Sequence, residues 1–472
     1  MSAPFRAYEP DQPLLFPPDL REWLSKDHLA YFLIDVVSSL DLRKVYAFYD
    51  FAEVKDAEGK VIGQRAKTNR GMPGYDPRMM TGLLLYGYVT GTPSSRQIER
   101  KCVEDVAFRV ISADQKPDHD TIATFRRVHL KALAELFLQV LKMCQRAGLV
   151  KLGPVPLDGT KVKANASKHK AMSYGHMVKK EAELKGEIEE LMKQAEEADQ
   201  GEDEKYGKGK RGDEWPEGLA RRESRLAKIQ EAKAALEAEA KAEAERIRRE
   251  DEEERTRRER EGEPAKPGKP PEPSEQPKEK AQRNFTDPES RILKNSDKAF
   301  IQEYNAQAAV DQEHQVIVAV DVTNQAADAP HLEPMVERIE ANTGERPKEL
   351  SADAGYFSED NVKAVEGHGI DPFMAAERIK HGETPAATRG RIPTDATRKE
   401  RMIRKLRTVA GRATYALRTV TVEPVFGQTR TRGLIRFWLR GLERVKREWA
   451  LWCAGHNLLK LFRSGRIAAA LT

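Results

Sequence analysis

The sequence predicts a mixed α/β protein in which a helical N-terminal domain precedes an α/β core. A long charged helical insertion interrupts that core after its first strand. Three observations predict this arrangement. Apolar residues recur at helical spacing over the first 149 positions, the pattern becomes extended near position 155, and strand-like and helix-like segments alternate after position 296. The overall class is therefore α/β, or α+β when the helical domain is counted.

Length and composition narrow the class of protein. The chain has 472 residues, of which 39% are hydrophobic and 33% are charged, and this length predicts about three domains. Cys102, Cys144 and Cys453 are too few for a disulfide scaffold and lack the spacing of a zinc site. Neither a signal peptide nor an apolar run long enough to cross a membrane is evident. We therefore expect a soluble, cytoplasmic protein.

Charge is distributed unevenly along the chain. The 81 basic and 76 acidic residues give a net charge of only +5. Residues 177–263 contain 21 basic and 28 acidic residues, whereas residues 391–472 contain 19 basic and 5 acidic residues. The first segment is typical of solvated helices, and the second is an electrostatic footprint suited to a polyanion.

Residues 1–149 are predicted to form a helical domain without a convincing strand. Asp76, Ser94 and Asp120 stand before segments of helical periodicity, where a side-chain oxygen can cap a helix. The last of these helices is predicted to end at Gly148.

The helices between positions 94 and 129 leave two interpretations open. They could form a helix-turn-helix-like unit in which Arg126 and Arg127 face DNA. They are equally compatible with an ordinary helical bundle.

The rest of the chain divides by composition. Two helices rich in Glu, Lys and Ala predict an antiparallel hairpin, either simply solvated or used to bind a partner. The Pro-rich stretch that follows is typical of a disordered linker. The predicted segments are the first core strand in 150–170, the hairpin insertion in 171–262, the linker in 263–295, the remaining core in 296–465 and a tail in 466–472.

The order of core elements predicts a particular sheet. Without the insertion, three early strands can form an antiparallel meander, and a strand that follows a crossover helix extends the sheet in parallel. A further helix and strand, a basic segment and a long helical region from about Glu423 to Leu461 complete the chain. This is the pattern of a ribonuclease-H-like fold.

Three acidic residues occupy positions that the fold should bring together. Asp158 lies in or at the end of the first strand, Asp353 ends a later strand, and Glu423 is expected where the last helical region begins, with Pro424 at its first position. Strand ends and helix starts meet at one edge of an open α/β sheet. Carboxylates gathered there suit hard divalent cations, which prefer oxygen ligands.

Each assignment has a structural alternative. Asp158 precedes Gly159, and Asp-Gly is a common turn signal. Asp321 and Asp328 are rival acids. Glu443 and Glu448 compete with Glu423, but are expected to form exposed pairs with nearby basic residues. The basic run 398–407 is compatible with DNA contact or with simple solvation.

Several segments resemble bacterial insertion-sequence transposases of the DDE type. They are VPLDGTKVKANAS (155–167), YNAQAAVDQEHQVIVA (304–319), VTNQAADAPHLEPM (322–335), LSADAGYFS (350–358) and VEPVFGQTRTRGLIRFWLRG (422–441). In addition, YDPRMMTGLLLYGYVTG (75–91) and PDHDTIATFRRVH (117–129) resemble the helical N-terminal domain of that group. The resemblance covers most of the chain apart from the insertion and the linker.

The resemblance implies an enzyme, a transposase that uses metal to cut and join DNA. Its Asp-Asp-Glu triad, which binds the metal, falls on Asp158, Asp353 and Glu423. The implied cofactor is Mg²⁺, for which Mn²⁺ substitutes. The implied partners are double-stranded DNA, at the element's terminal inverted repeats and at the target, and a second copy of the chain, with no membrane. Such a protein associates with the bacterial nucleoid through DNA. The alternative is a transposase-derived DNA-binding protein, or a nuclease without strand transfer.

The family branch with a Tyr-x₂-Arg-x₃-Glu-x₆-Lys signature provides candidate DNA-binding residues. Here the signature falls on Tyr415, Arg418, Glu423 and Arg430. Two departures are evident: four residues instead of three separate Arg418 from Glu423, and arginine replaces the final lysine. The contact expected of Arg418 is therefore open.

Overall fold

The computed structural model describes residues 19–49, 51–55, 61–66, 74–206, 217–261, 272–294, 299–377 and 392–471. Its helices are α1 Leu29–Ser39, α2 Arg43–Tyr46, α3 Pro77–Thr90, α4 Ser95–Glu104, α5 Val106–Ile111, α6 His119–Arg146, α7 Tyr174–Tyr206, α8 Glu217–Glu261, α9 Leu332–Thr343, α10 Glu359–Gly367, α11 Arg398–Arg407, α12 Val409–Thr431, α13 Leu442–Ser464 and α14 Ile467–Leu471. Its strands are β1 Phe51–Lys55, β2 Val61–Ala66, β3 Pro154–Lys163, β4 Ala171–Ser173, β5 Gln282–Asn284, β6 Arg291–Lys294, β7 Phe300–Val310, β8 Ile317–Thr323, β9 Glu349–Ala352 and β10 Asp371–Met374.

The N-terminal part is mainly helical, with two differences from the sequence prediction. β1 and β2 pair as an antiparallel hairpin, so the expectation of no strand there was wrong. The long helix α6 is capped by Asp118, whose carboxylate accepts the N–H of Thr121 at 2.7 Å, and not by Asp120. Asp120 lies one residue inside the helix, where it can only add negative charge to the first turn.

The core sheet has the strand arrangement that the sequence predicts. Its order is β10-β9-β3-β7-β6, with β8 also paired to β7. The first three core strands β3, β7 and β8 are antiparallel neighbours, while β9 runs parallel to β3, and β10 runs parallel to β9. A ribonuclease-H-like α/β core is thereby confirmed. This topology places the end of β9, at Ala352, beside Leu157 in the middle of β3.

Helices from both ends of the chain pack on this sheet and on one another. Helix α12 contacts β3, while α13 contacts both β8 and α6. Trp449 and Trp452 of α13 are fully buried in a hydrophobic core that also includes Leu33 and Leu83 of the N-terminal helices. A continuous apolar core therefore joins the N-terminal helices to the core sheet.

The insertion forms two long helices, α7 and α8, above a short β4–β5 ribbon. A separate apolar cluster holds the helices together at their base; it contains Met177, Leu184, Ile229, Ala232 and Leu236. The ends of the insertion are close together, because the N–H of Gly175 donates to the carbonyl of Glu279 at 3.1 Å. The insertion is therefore a hairpin that leaves and re-enters the fold at one place.

Two segments that the sequence assigned to a linker and a tail contain regular structure. In the linker of 263–295, of which residues 263–271 and 295 lie outside the described part of the chain, β5 and β6 are present, and β6 joins the main sheet through β7. The tail of 466–472 contains α14, where the carbonyl of Ala470 accepts a hydrogen bond from Arg146 at 2.5 Å. β5 pairs with β4 and α14 packs against α6, both far away in the chain, whereas β6 pairs with the next strand; local composition reveals none of these contacts.

Among the residues that the structure describes, no helix is both long enough and apolar enough to cross a bilayer.

Candidate active site

Asp158 lies in the middle of β3 and not in a turn. Leu157 pairs with Ala352, the last residue of β9, so Asp158 faces the start of the loop that follows β9. Its side chain is only 15% exposed, and one carboxylate oxygen accepts the N–H of Gly159 at 2.8 Å.

Gly159 is explained by a close approach and not by a turn. A Cβ at this position would lie 2.6 Å from the amide nitrogen of Gln307 and 2.7 Å from the amide oxygen of Asn305. These side chains project from β7, the strand next to β3. The Asp-Gly pair therefore marks a strand where a polar cluster packs against the backbone.

Asp353 immediately follows β9, at the edge where strand ends meet. Its carboxylate accepts the N–H of Gly355 at 2.8 Å, which closes a tight turn before α10. The chain order strand, acid, turn, helix fixes this carboxylate beside β3. Its location agrees with the expectation for a strand-end acid.

Glu423 lies inside α12 and not at its start. The helix begins at Val409, so the expectation that Glu423 and Pro424 open a helix was wrong. Proline lacks an N–H and leaves the carbonyl four residues earlier without its helical donor. That carbonyl belongs to Val420, and it accepts a hydrogen bond from the side chain of Gln315 at 3.0 Å. A residue before β8 thus compensates for Pro424.

Arg418 connects the acids of β3 and α12. One guanidinium nitrogen lies 2.6 Å from the carboxylate of Asp158, and another lies 3.4 Å from that of Glu423. The Arg418 side chain is 15% exposed, whereas that of Glu423 is 49% exposed. The guanidinium therefore occupies the space between two of the three acids.

The electrostatics of the site centre on Asp158. Burial raises the pKa of Asp158 to about 7; Arg418 opposes this shift, while Asp353 and Glu423 add to it. Burial lowers the pKa of Arg418, but Asp158 and other neighbours outweigh that effect and raise it. The mutual influence of three acids and one cation indicates that they form a coupled group.

The other two signature residues lie on the same helix. The ring of Tyr415 is 5.8 Å from the Arg418 guanidinium, and burial raises the pKa of its hydroxyl. Arg430 is exposed, and its guanidinium donates to the hydroxyl of Thr160 at 2.6 Å. Tyr415, Arg418 and Arg430 thus follow α12 along its contact with β3.

A fourth acid, Asp328, approaches Asp353 from the side. One of its oxygens accepts hydrogen bonds from Asn305 at 2.7 Å and Gln307 at 2.9 Å. The other oxygen and an oxygen of Asp353 would each lie 3.0 Å from a Cβ at Gly355. Asp328 therefore supports the turn that carries Asp353. Sequence reasoning missed Asn305 and Gln307; the signal was two amides at alternate positions in the alanine-rich second half of β7.

The remaining rival acids have other partners. Asp321 forms ion pairs with Arg338 at 3.1 Å and Lys446 at 3.4 Å. Glu443 lies within 4.0 Å of Lys446 and Arg447, as expected for exposed pairs. The same expectation for Glu448 was wrong, because this residue is fully buried and accepts the N–H groups of two residues of the 432–441 loop.

The structure separates Arg126 from Arg127. The guanidinium of Arg126 is buried and donates to the carbonyl of Pro93 at 2.7 Å, so it faces the helical bundle and the expected DNA contact does not fit it. Arg127 is exposed. Successive residues of a helix point about 100° apart, so Arg126 can face the bundle while Arg127 faces solvent.

The basic run 398–407 forms α11, and much of its charge is neutralised within the fold. Arg398 pairs with Glu366 at 3.7 Å, Arg407 pairs with Glu377 at 2.7 Å, and Lys405 pairs with Asp371. A cavity of about 730 Å³ lies between α10 and α11, and none of the three candidate acids lines it. These contacts favour a structural role for α11.

The three acids suit a divalent cation in donor chemistry, since all are carboxylates at one edge of the sheet. As they stand, however, no group of three or more acidic, histidine or cysteine side chains in the described part of the chain is arranged to hold a metal ion. The Arg418 guanidinium explains this, because it lies between Asp158 and Glu423.

The fold and this site define a ribonuclease-H-like protein with three carboxylates at the edge where β3, β9 and α12 meet. Two family models match the chain: Transposase DDE domain over residues 271–458, and Transposase domain (DUF772) over residues 18–128. The chain belongs to the insertion-sequence transposases of the DDE type. The first match contains Asp353 and Glu423, while Asp158 precedes it. No curated protein and no solved structure matches the chain.

Proposed function

We propose that this transposase binds the terminal inverted repeats of its insertion sequence and catalyses metal-dependent DNA cleavage and strand transfer. Asp158, Asp353 and Glu423 are the proposed triad. The observation that carries the proposal is their convergence around Arg418 from a strand, a loop and a helix that are far apart in the sequence. Family membership supports the class of reaction.

The triad would hold Mg²⁺, or Mn²⁺ in its place, through carboxylate oxygens. When bound, such ions activate the attacking oxygen and stabilise the leaving oxygen in phosphoryl transfer. Arg418 must give up its contact with Asp158 or Glu423 for both carboxylates to bind a cation. The raised pKa of Asp158 supports a cation site, because an ionised carboxylate among other acids is stabilised by added positive charge.

The remaining residues of α12 would orient DNA. Arg418, once displaced from the acids, offers a planar guanidinium that can bind a phosphate through two hydrogen bonds. Arg430 is exposed beside β3 and would bind a second phosphate. Tyr415 packs near Arg418 and would position it. Arg127, on the exposed side of α6, would contribute to binding by the N-terminal domain.

In this mechanism water first cleaves a phosphodiester at the element's end and leaves a 3′-hydroxyl. That hydroxyl then attacks a phosphodiester of the target DNA, so one bond forms for each bond broken. Pairing two element ends calls for two copies of the chain, and we propose a homodimer on DNA. The carboxylates act as ligands and not as attacking groups.

A second candidate function is supported by the position of Arg418. If the guanidinium stays between Asp158 and Glu423, the protein would bind DNA without cutting it, or cut without joining. Two assays separate these functions: cleavage of a duplex carrying the element's end, and strand transfer from a pre-cleaved end, both in Mg²⁺.

The proposed enzyme performs both reactions, and Asp158→Ala and Asp353→Ala abolish both. Glu443→Ala is the matched control, because this exposed acid lies outside the triad. Retained cleavage in both triad variants would contradict the assignment. Cleavage without joining would favour a nuclease.

A further inference from the structure

The loop 432–441 between α12 and α13 exposes one aliphatic side chain in a fixed position. Ile435 is 70% exposed, whereas its neighbours Leu434 and Phe437 are 2% and 0% exposed. Single exposed apolar residues are ordinary on protein surfaces. Ile435 differs because the buried side chains of Leu434 and Phe437, on either side of it, fix its position.

Backbone hydrogen bonds tie this loop to the far end of β3. The N–H of Phe437 donates to the carbonyl of Lys163 at 2.9 Å, and Asn165 donates from its side chain to the carbonyl of Trp438 at 2.7 Å. The buried carboxylate of Glu448 accepts the N–H of Trp438 at 3.0 Å and that of Leu439 at 2.8 Å. A loop fixed in this way can insert a side chain into a ligand at little further cost in conformational entropy.

Three arginines, Arg430, Arg436 and Arg440, accompany Ile435 along β3, and we call them the arginine strip. Arg430 contacts Thr160, Arg436 pairs with Lys163 through its backbone, and Arg440 donates to the carbonyl of Asn165 at 3.0 Å. All three are exposed. The Arg436 guanidinium also lies 4.9 Å from the Trp438 ring, which supports it at the surface.

Three acids touch this loop through its backbone N–H groups, and among the described residues none of them forms an ion pair with an arginine of the strip. Glu448 is buried, Asp287 accepts the N–H of Gly441 at 3.1 Å, and Glu289 accepts the N–H of Leu442 at 2.8 Å. The guanidinium groups therefore present positive charge in a row that starts beside the catalytic acids and continues to the loop.

The rise per residue of a strand such as β3 is close to the rise per base pair of a duplex. At about 3.3 Å per residue, Lys163 lies roughly 17 Å along the strand from Asp158. Successive base pairs of DNA are about 3.4 Å apart. A duplex that follows β3 from the catalytic acids therefore brings a step about five base pairs away next to Ile435.

We propose that the arginine strip binds the phosphates of duplex DNA and that Ile435 enters a base-pair step about five base pairs from the cleaved bond. Apolar side chains flanked by guanidinium groups unstack DNA steps in this way when they enter the minor groove. The inference rests on the proposed function, and it adds a surface beyond the triad and the α12 signature. A protein partner is disfavoured because Ile435 is surrounded by charge and not by a continuous apolar patch.

The test uses the full-length protein and a duplex containing the DNA that flanks the gene, with 2-aminopurine placed at successive positions from the element's end. We expect fluorescence to rise several-fold at one step about five base pairs from the cut. Ile435→Ser removes that rise and preserves folding. Val409→Ser is the matched control, since Val409 is 80% exposed at the start of α12, away from the loop.

A second measurement tests the arginine strip. Arg436→Gln is expected to reduce by about one the slope of log affinity against log salt, as for one lost phosphate contact. If the wild-type protein binds and cuts the duplex but Ile435→Ser leaves the fluorescence unchanged, this inference is wrong and the proposed function stands. If the wild-type protein neither binds nor cuts the duplex, both are wrong.

Discussion

The guanidinium of Arg418 lies 2.6 Å from the carboxylate of Asp158, although 260 positions separate the two residues. This ion pair joins α12 to the middle of β3 and stands where the proposed metal ligands converge. Arg418 therefore acts as an internal counterion of the site. The first prediction concerns what happens when it is removed.

Arg418→Gln should destabilise the metal-free protein by about 3–5 kcal/mol at pH 8, because the largely buried Asp158 loses its partner and must either remain a lone buried charge or take up a proton. Added Mn²⁺ should raise the Tm of the variant more than that of the wild type, since the cation replaces the lost charge. Calorimetry with and without Mn²⁺ measures both effects. Arg430→Gln, at an exposed position, is the control and should change the Tm little. Equal Mn²⁺ shifts in Arg418→Gln and the wild type would contradict the counterion role.

The pH dependence of stability should reveal Asp158. Its pKa is raised to about 7 in the folded protein, against about 3.9 for an unperturbed aspartate. Between these values the folded state binds more protons than the unfolded state, so this residue lowers stability as pH rises from about 4 to 7. Asp158→Asn removes that loss. Without metal, the Tm of Asp158→Asn minus that of the wild type should therefore be more positive at pH 8 than at pH 5. A difference independent of pH would show that Asp158 has an ordinary pKa.

Gly159→Ala should destabilise the fold by about 1–3 kcal/mol, because its Cβ would overlap the side chains of Asn305 and Gln307, which Asp328 holds in place. DNA cleavage should fall as well, since the preceding residue is Asp158. Gly153→Ala is the matched control: a Cβ there meets nothing within 4 Å, and its effect should stay within about 0.5 kcal/mol. Denaturant unfolding measures both variants. Equal stability of the two variants would mean that the polar cluster can move aside.

Removal of the hairpin insertion should leave the core folded. The insertion has its own apolar cluster, and its ends meet at Gly175 and Glu279. A short Gly-Ser link can therefore replace residues 176–278. The ion pairs lost with it, such as those from Glu239 to Arg283 and Arg291, involve partly exposed side chains and contribute little.

Circular dichroism and the Tm of the deleted protein measure this outcome. An unfolded product would show that the insertion is part of the core. A folded product that binds DNA but no longer pairs two ends would assign the insertion to assembly.

The sequence predicted those elements whose pattern is contained in neighbouring residues. The extended, apolar-rich stretches of β3, β7 and β8, the amphipathic spacing of α9 and the turn after Asp353 are each contained within a few residues, and their order led to the sheet topology. α14 was missed because it is stabilised by α6, far away in the chain, and β6 was missed because it lies in a stretch whose composition indicates a linker, although it pairs with the next strand, β7. Helix α12 was placed too late because Pro424 was taken as a helix start, whereas Gln315 of another element satisfies the carbonyl that Pro424 leaves free.

The sequence by itself determined the fold class, the family resemblance and the three acids of the proposed triad, because periodicity and residue type are properties of the linear sequence and do not depend on contacts in space. Only the tertiary structure decided which charged residues meet. It paired Arg418 with Asp158, buried Arg126 and Glu448, neutralised α11 and aligned the arginine strip with β3. The physical reason is that electrostatic and hydrogen-bonding partners depend on distance in space, and residues 260 positions apart become neighbours only when the sheet and its helices have packed.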